Sequence, residues 1–348
     1  MGRYLSRLML VRILGVALVL AALLQIMDLI DNVGDVLDRR GSIADLVVYS
    51  GYRLPSILES TIPISVLLGT IAVFLALAGR SELDALRSGG VSQGRVILLC
   101  LPICLVFAGL HFVLVDRWVP ASQQAFFEWW EGPVNTGDLL WLRGADSIVS
   151  VAATSADGRD LTDVSIYHRD ANGQLRARID AETARHDGTG WILSDVEETR
   201  FDVGAGTDLR THDTLPWPGG PEPLTVGMLQ QPPERLSANL MTGLLSESWT
   251  GATETASYRT ELANRYAAPL ASLVMLLLAS PAMRREGRSS AALIGGLAGL
   301  ALGLGFVVCA GILTALGRAG LVVPHLAAWL PVLSFAAIGL FLLRRTET

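Results

Sequence analysis

The chain has 348 residues, 51% hydrophobic and only 17% charged, with a mean hydropathy of +0.45, which excludes an ordinary soluble domain and points to membrane spans. All 27 basic residues are arginine. Without lysine there can be no GxxxxGKS/T phosphate loop, Schiff-base lysine or lysine general base, so any ATP-driven work needs a nucleotide site on another subunit.

A membrane-crossing helix needs about 20 apolar residues. Six stretches meet this or nearly so: Leu8 to Ile30, Pro55 to Gly79, Val96 to Val115, Tyr266 to Met283, a span inside the charge-free run Ser289 to Gly317, and Leu321 to Leu343. Arg3 and Arg7 ahead of the first stretch also admit a signal peptide, but no clear small-residue cleavage site follows. An uncleaved first span is the simpler reading. Arg80, Arg87 and Arg95 follow span 2, and Arg284, Arg285 and Arg288 follow span 4. With the arginines near both ends they fall on one side, which the positive-inside rule makes the cytoplasm. Both termini are then cytoplasmic, in a multi-pass membrane protein.

Between spans 3 and 4 lies a long polar interval. From Asp116 to Arg265 there are 23 acidic residues and 12 arginines, net −11, whereas the rest of the chain carries 10 and 15, net +5. An acidic domain is therefore inserted outside the membrane. It reads as all-β, because Leu175, Ala177, Ile179 and Ala181 alternate with charged residues. Turn signals recur at Asp157-Gly158, Asn172-Gly173 and Asp187-Gly188. Alternation alone fits an ordinary ligand-free sandwich equally well. Pro216 to Pro233, rich in proline and glycine, reads as an exit linker.

Little resembles an active site. Gly90-Val91-Ser92-Gln93-Gly94 matches the serine-hydrolase elbow but sits in a short loop between two spans. Five histidines are scattered without metal-ligand spacing, and three cysteines form no CxxC pair, so neither a metal nor a cofactor is expected. Cys100 and Cys104, one helical turn apart, read as small apolar residues. More informative is Arg80 to Gly90: Ser81 suits an N-cap, Glu82 and Asp84 the first turn, Leu83 and Leu86 one face, and Gly89-Gly90 a stop. This short cytoplasmic helix fits a solvated connector and a docking element alike. Gly295, Gly299 and Gly303 recur every four residues in span 5, a stripe that admits another helix backbone, either within this chain or at an interface that opens.

Taken together, these pieces resemble the LptF/LptG permeases, the membrane subunits of the bacterial lipopolysaccharide export ABC transporter. The resemblance covers nearly the whole chain. Arg80-Ser81-Glu82-Leu83 with Ser88-Gly89 is similar to the family's coupling helix, preceded by Pro63 and Leu67-Leu68-Gly69. Trp141, the run Leu161 to Tyr167, Trp191 to Val196 and Thr199-Arg200-Phe201 resemble its β-jellyroll. Glu261-Leu262, Arg265 and Pro269-Leu270 resemble the opening of its fourth span. Met27 to Asp31 and the Thr-Arg-Phe triplet look more like the LptG branch than the LptF branch.

The fold this implies is an α-helical membrane protein of six transmembrane helices, three plus three, with an inserted periplasmic all-β jellyroll. Residues 1–118 would hold spans 1 to 3 with the coupling helix at about 81–90, 119–137 a connector, 138–235 the jellyroll, 236–265 a second connector and 266–348 spans 4 to 6. The resemblance implies a non-catalytic subunit in the inner membrane. Its partners would be a paralogous LptF-like permease, a cytoplasmic LptB-like ATPase dimer, periplasmic LptC-like and LptA-like jellyroll proteins and lipopolysaccharide, with no nucleic acid. Glu82, Leu83, Leu86 and Arg87 would couple to the ATPase, Ile166 and Ile179 would line the lipid groove, and Gly295, Gly299 and Gly303 would pack at a gate. The outer end of span 1 departs from expectation: Gln25, Asp28 and Asp31 stand where basic residues should meet lipid phosphates. Either that role moves to Arg39, Arg40 and Arg53, or the lipid carries less phosphate. Two other readings stay open: a membrane-anchored periplasmic scaffold or receptor, and a permease for another lipid.

Overall fold

The computed structural model describes residues 2–80, 82, 85, 88–131, 139–144, 146–155, 158–170, 173–202, 206–229, 231–246, 249–251, 255–283 and 289–347. The chain divides into two compact units, residues 1–126 with 260–348, and residues 127–259.

The first unit is helical. Helix α1 runs Gly2–Arg40 and α2 runs Ile43–Gly79. Both outrun the apolar stretches that announced them. Between them Gly41, at φ +79°, donates its N–H to the Leu37 carbonyl, and Ser42 caps α2 by accepting from the Ala44 N–H. Arg39 and Arg40 in a last turn, a left-handed glycine and a serine N-cap together make a stop followed by a start. Pro55 and Pro63 lie inside α2, as membrane-spanning helices tolerate. Helix α3, Gln93–Val113, passes through a π-helical turn, Leu114–Trp118, into α4, Val119–Glu131. Ser92 accepts from the Arg95 N–H and caps α3, a structural role for the serine of the hydrolase-like pentapeptide.

After the β-domain the helices resume with α7, Thr255–Ala267, and α8, Ala271–Leu278, flanked by short 3₁₀ turns at Ala268–Leu270 and Ser280–Met283. Helices α9, Ser289–Arg318, and α10, Pro324–Glu347, complete the unit. Among the described residues six helices are long and apolar enough to cross a membrane, as expected. Their shared core includes Met9, Ile13, Leu67, Phe74, Cys100 and Met275.

The second unit carries six antiparallel strands in sequence order: β1 Leu140–Arg143, β2 Ser147–Thr154, β3 Asp160–Arg169, β4 Leu175–His186, β5 Trp191–Asp202 and β6 Gly206–Trp217. This is the inserted all-β domain, and the three turn signals fall between β2 and β5. Asp187 shows how such a turn is held: the Thr189 hydroxyl and the Thr189 and Gly190 N–H groups all donate to its Oδ1, lowering its pKa to about 2. Strand β6 replaces the start of the expected linker, and α5, Pro223–Leu229, and α6, Ala238–Ser246, follow it. Its sequence lacks apolar alternation, and it is defined by pairing with β5 from Asp202↔Gly206 to Trp191↔Trp217.

The sheet has a fold line. On β3 the buried positions are Leu161, then Val164 and Ile166; on β4, Ile179 and Ala181, then Ala184; on β5, Trp191 and Leu193, then Val196. Parity switches once on each strand, and the register pairs skip Ala152, Asp163, Glu182, Asp195 and Asp213 along one line. Asp163 (φ +51°) and Asp195 (φ +54°), on alternate strands, take the left-handed conformation that a short polar side chain tolerates. Such irregularities bend a sheet, so that both halves can bury the same face.

Candidate functional site

Four groups of candidate residues stand out, each within one of the two units. The first lies where α1 meets α2. The Arg53 guanidinium grips the Asp28 carboxylate, Nη2 at 2.6 Å from Oδ1 and Nε at 3.1 and 3.2 Å from Oδ2 and Oδ1. Tyr49, itself buried, donates its hydroxyl to Asp28 Oδ2 at 3.0 Å. The ring of Tyr49 rests edge-on against Phe126, centroids 5.6 Å apart. Arg53, expected beside the lipid headgroup, thus pairs with a carboxylate of its own chain. Arg39 and Arg40 stand exposed at the end of α1. The signal for Asp28 was present in the sequence as an ionisable residue within an apolar stretch, which needs a partner; which partner, it did not say. Arg12 obeys the same rule, donating to the Ala72 carbonyl at 2.8 Å.

The second group is the segment after α2, helical at the described Glu82, Ala85 and Ser88. Glu82 accepts from the Tyr4 hydroxyl at 3.3 Å and lies 3.9 Å from Arg80. Leu83, Leu86 and Arg87, expected beside it, lie outside the described residues.

Third is the glycine stripe of α9, which packs on its own chain. A Cβ at Gly295 would strike the Pro281 carbonyl, one at Gly299 would lie 2.7 Å from the Leu278 carbonyl oxygen, and one at Gly303 would strike Leu67. The outward face of the same helix carries Leu293, Ile294, Leu297, Leu304, Val308 and Ile312, all exposed. Beyond the stripe a cleft of about 830 Å³ opens, walled by Phe306, Val307 and Ala310 and bordered by Glu59, His111, Asn264 and Arg318. Its volume is that of a site for a small ligand or an acyl chain. Two further charge contacts lie close by in the chain: Arg318 pairs with Glu261 at 2.7 Å, and buried Arg265 reaches the Val115 carbonyl at 3.0 Å and Asp116 at 3.6 Å. The sequence marked Glu261 and Arg265 by resemblance alone, without their partners.

The fourth group is the buried face of the sheet. Ile166 and Ile179 are direct cross-strand partners, flanked by Val149, Val164, Ala181 and Val196. At the β5–β6 margin the same parity turns charged. Glu198, buried opposite Ile179, accepts from Arg200 at 2.6 Å and lies 3.7 Å from His212. Hydrogen bonding to Glu198 raises the Arg200 pKa. The face thus pairs an apolar floor with an ionic margin, which suits an amphiphile.

Comparison with known proteins matches residues 3–345 to the family described as "Lipopolysaccharide export system permease LptF/LptG". The chain belongs to the LptF/LptG family. Among its relatives is the lipopolysaccharide export system permease protein LptG of Escherichia coli K12, 24% identical over 308 residues, 86% of this chain and 85% of that one. The LptG protein of Haemophilus influenzae is 23% identical over 207 residues, 57% of this chain and 58% of its own length. The match runs through both helical halves and the inserted sheet.

Proposed function

We propose that this chain is one of the two permease subunits through which lipopolysaccharide leaves the inner membrane, with its β-domain periplasmic and both termini cytoplasmic. In this reading a cytoplasmic ATPase dimer supplies the energy, and periplasmic jellyroll proteins receive the lipid. The problem is physical: an acyl chain of about twelve carbons represents roughly 9 kcal/mol of transfer free energy at about 0.8 kcal/mol per CH₂, so a lipid with several chains needs a continuous apolar shelter. The carrying observation is the family match over both helical halves together with an inserted sheet whose buried face is apolar from β2 into β5, as far as Glu198.

The residues then take roles. Helices α1 and α9 border a cavity shared with the paralogous permease and act as its lateral gates. Glu82 lies in the segment that docks on the ATPase, and its hydrogen bond to Tyr4 carries movement straight to the start of α1. Ile166 and Ile179 receive acyl chains; Ile166 is fully covered in this structure, so the sheet must part its halves to admit them.

The test uses the assembled complex. A photo-crosslinking residue at Ile166 or Ile179 is expected to label lipid during ATP hydrolysis, and one at Arg178 or Glu197 is not. Glu82→Ala is expected to lower labelling by about tenfold while hydrolysis by the ATPase continues. Labelling confined to the outward positions would reject the groove, and normal labelling in Glu82→Ala would reject the coupling role.

A further inference from the structure

We propose that the ion pair between Glu261 and Arg318 is a latch on α9: it pins the last turn of that helix at the rim of the cleft, and its release lets this end swing away from the bundle. The proposal deepens the permease reading above and rests on it. Glu261 and Arg318 are positioning residues, which act through α9.

Along its first half α9 is fastened by close packing. Gly295, Gly299 and Gly303 lie so near the Pro281 carbonyl, the Leu278 carbonyl and Leu67 that a Cβ at any of them would collide. Small residues admit this approach, and it cannot loosen without moving a whole helix. Farther on, the cleft of about 830 Å³ runs along Phe306 to Ala315, with Pro63 of α2, Ala271 of α8 and Val332 of α10 in its other walls. A Cβ at Gly311, in this stretch, would meet nothing within 4 Å. The helix returns to the bundle at its last turn. There a Cβ at Gly317 would come 2.6 Å from Ala327 and 2.9 Å from Thr260, and Arg318 Nη2 donates to Glu261 Oε2 at 2.7 Å. Helix α9 thus bridges the cleft, packed tightly on one side of it and tied by opposite charges on the other.

The tie is built to be exchanged. The Arg318 side chain is 37% exposed and hydrates when it leaves, whereas that of Glu261 is 10% exposed and needs another cation. The fold supplies one. Arg265 stands four residues beyond Glu261 on α7, one helical turn away. In this structure Arg265 donates to the Val115 carbonyl at 3.0 Å and lies 3.6 Å from Asp116. Both of those partners belong to the π-helical turn Leu114–Trp118, an irregularity of the kind that accompanies functional positions. One buried carboxylate with two cations in reach makes a two-state element: Arg318 holds it with α9 down, and Arg265 holds it with α9 released. Release opens the cleft to an acyl chain of the transported lipid.

The experiment takes the full complex, with partner permease and ATPase, in nanodiscs containing lipopolysaccharide. Thr314→Cys in a Cys309→Ser background puts a reactive thiol in the cleft wall one turn from Arg318, while Cys100 and Cys104 are buried. The readout is the rate at which N-ethylmaleimide modifies this subunit. With the latch intact, ATP is expected to raise that rate about tenfold. Arg318→Gln is expected to reach the fast rate without ATP, and Arg318→Lys, which keeps the charge, to stay within about twofold of the latched rate. Glu261→Gln combined with Arg318→Gln is expected to be no faster than Arg318→Gln, because a pair acting as one unit is lost only once. Should Arg318→Gln not assemble, Glu261→Gln takes its place. A slow rate in these neutral variants would overturn the proposal, as would Arg318→Lys as fast as Arg318→Gln, or a latched protein whose rate ignores ATP. Lipid labelling at Ile166 tests the permease reading separately. It is expected in the latched protein and lowered about tenfold in Arg318→Gln. Its absence from every variant would reject the permease reading, and the thiol rates would still decide the latch.

Discussion

Glycines on α9 separate two kinds of position by what a methyl group would meet. At Gly295 it would run into the Pro281 backbone carbonyl, which has no room to retreat, and at Gly311 there is nothing within 4 Å. Overpacking a tight helix contact costs about 1–3 kcal/mol. Gly295→Val is therefore expected to lower the thermal midpoint of the detergent-solubilised complex by several degrees, and Gly311→Ala to leave it unchanged. Equal midpoints for both would mean that the stripe is not a packing surface. Charged residues obey a similar local rule. Asp28, Arg12 and Arg265 each lie in or beside an apolar stretch and each finds a specific partner, as a low-dielectric setting demands.

The β-domain depends on its fold line. Three strands, β3 to β5, switch parity along the row Asp163, Glu182 and Asp195, and two of those residues hold a positive φ. A β-branched residue pays roughly 1–2 kcal/mol to adopt the left-handed conformation, whereas aspartate tolerates it. Asp163→Val and Asp195→Val are each expected to destabilise the sheet by about that amount, and Asp163→Gly to be neutral or stabilising, read by hydrogen exchange of the β3–β4 amides. A neutral Asp163→Val would mean that the bend does not need this conformation. Alternation and Asn-Gly or Asp-Gly turns made the strands legible, but β6 escaped, because an edge strand with alternating charges carries no apolar stripe and is defined only by its neighbour.

Across the whole molecule, burial is uneven among the spans. Only 17% of the most apolar window of α1 and 28% of that of α9 is buried within the chain, against 72% for Thr255–Met283. Exposed apolar helix faces in a membrane protein meet lipid or another subunit, and in the proposed assembly α1 and α9 are the helices that the partner permease approaches. With Cys309 replaced by serine, Val19→Cys and Val308→Cys are expected to crosslink to that permease through a short bis-maleimide, since both side chains are exposed and Cys100 and Cys104 are buried. Failure at both positions would place the interface elsewhere. The sequence by itself determined the six spans, the inserted strands other than β6 with their turns, and the absence of a lysine-based nucleotide site, because hydropathy, alternation and composition are local properties. Only the tertiary structure decided that Arg53 belongs to Asp28, that the glycine stripe faces its own chain and that the sheet bends along an acidic row. Each depends on which surfaces meet across stretches distant in sequence, and a one-dimensional pattern carries the polarity of a residue but not the identity of the atom opposite it.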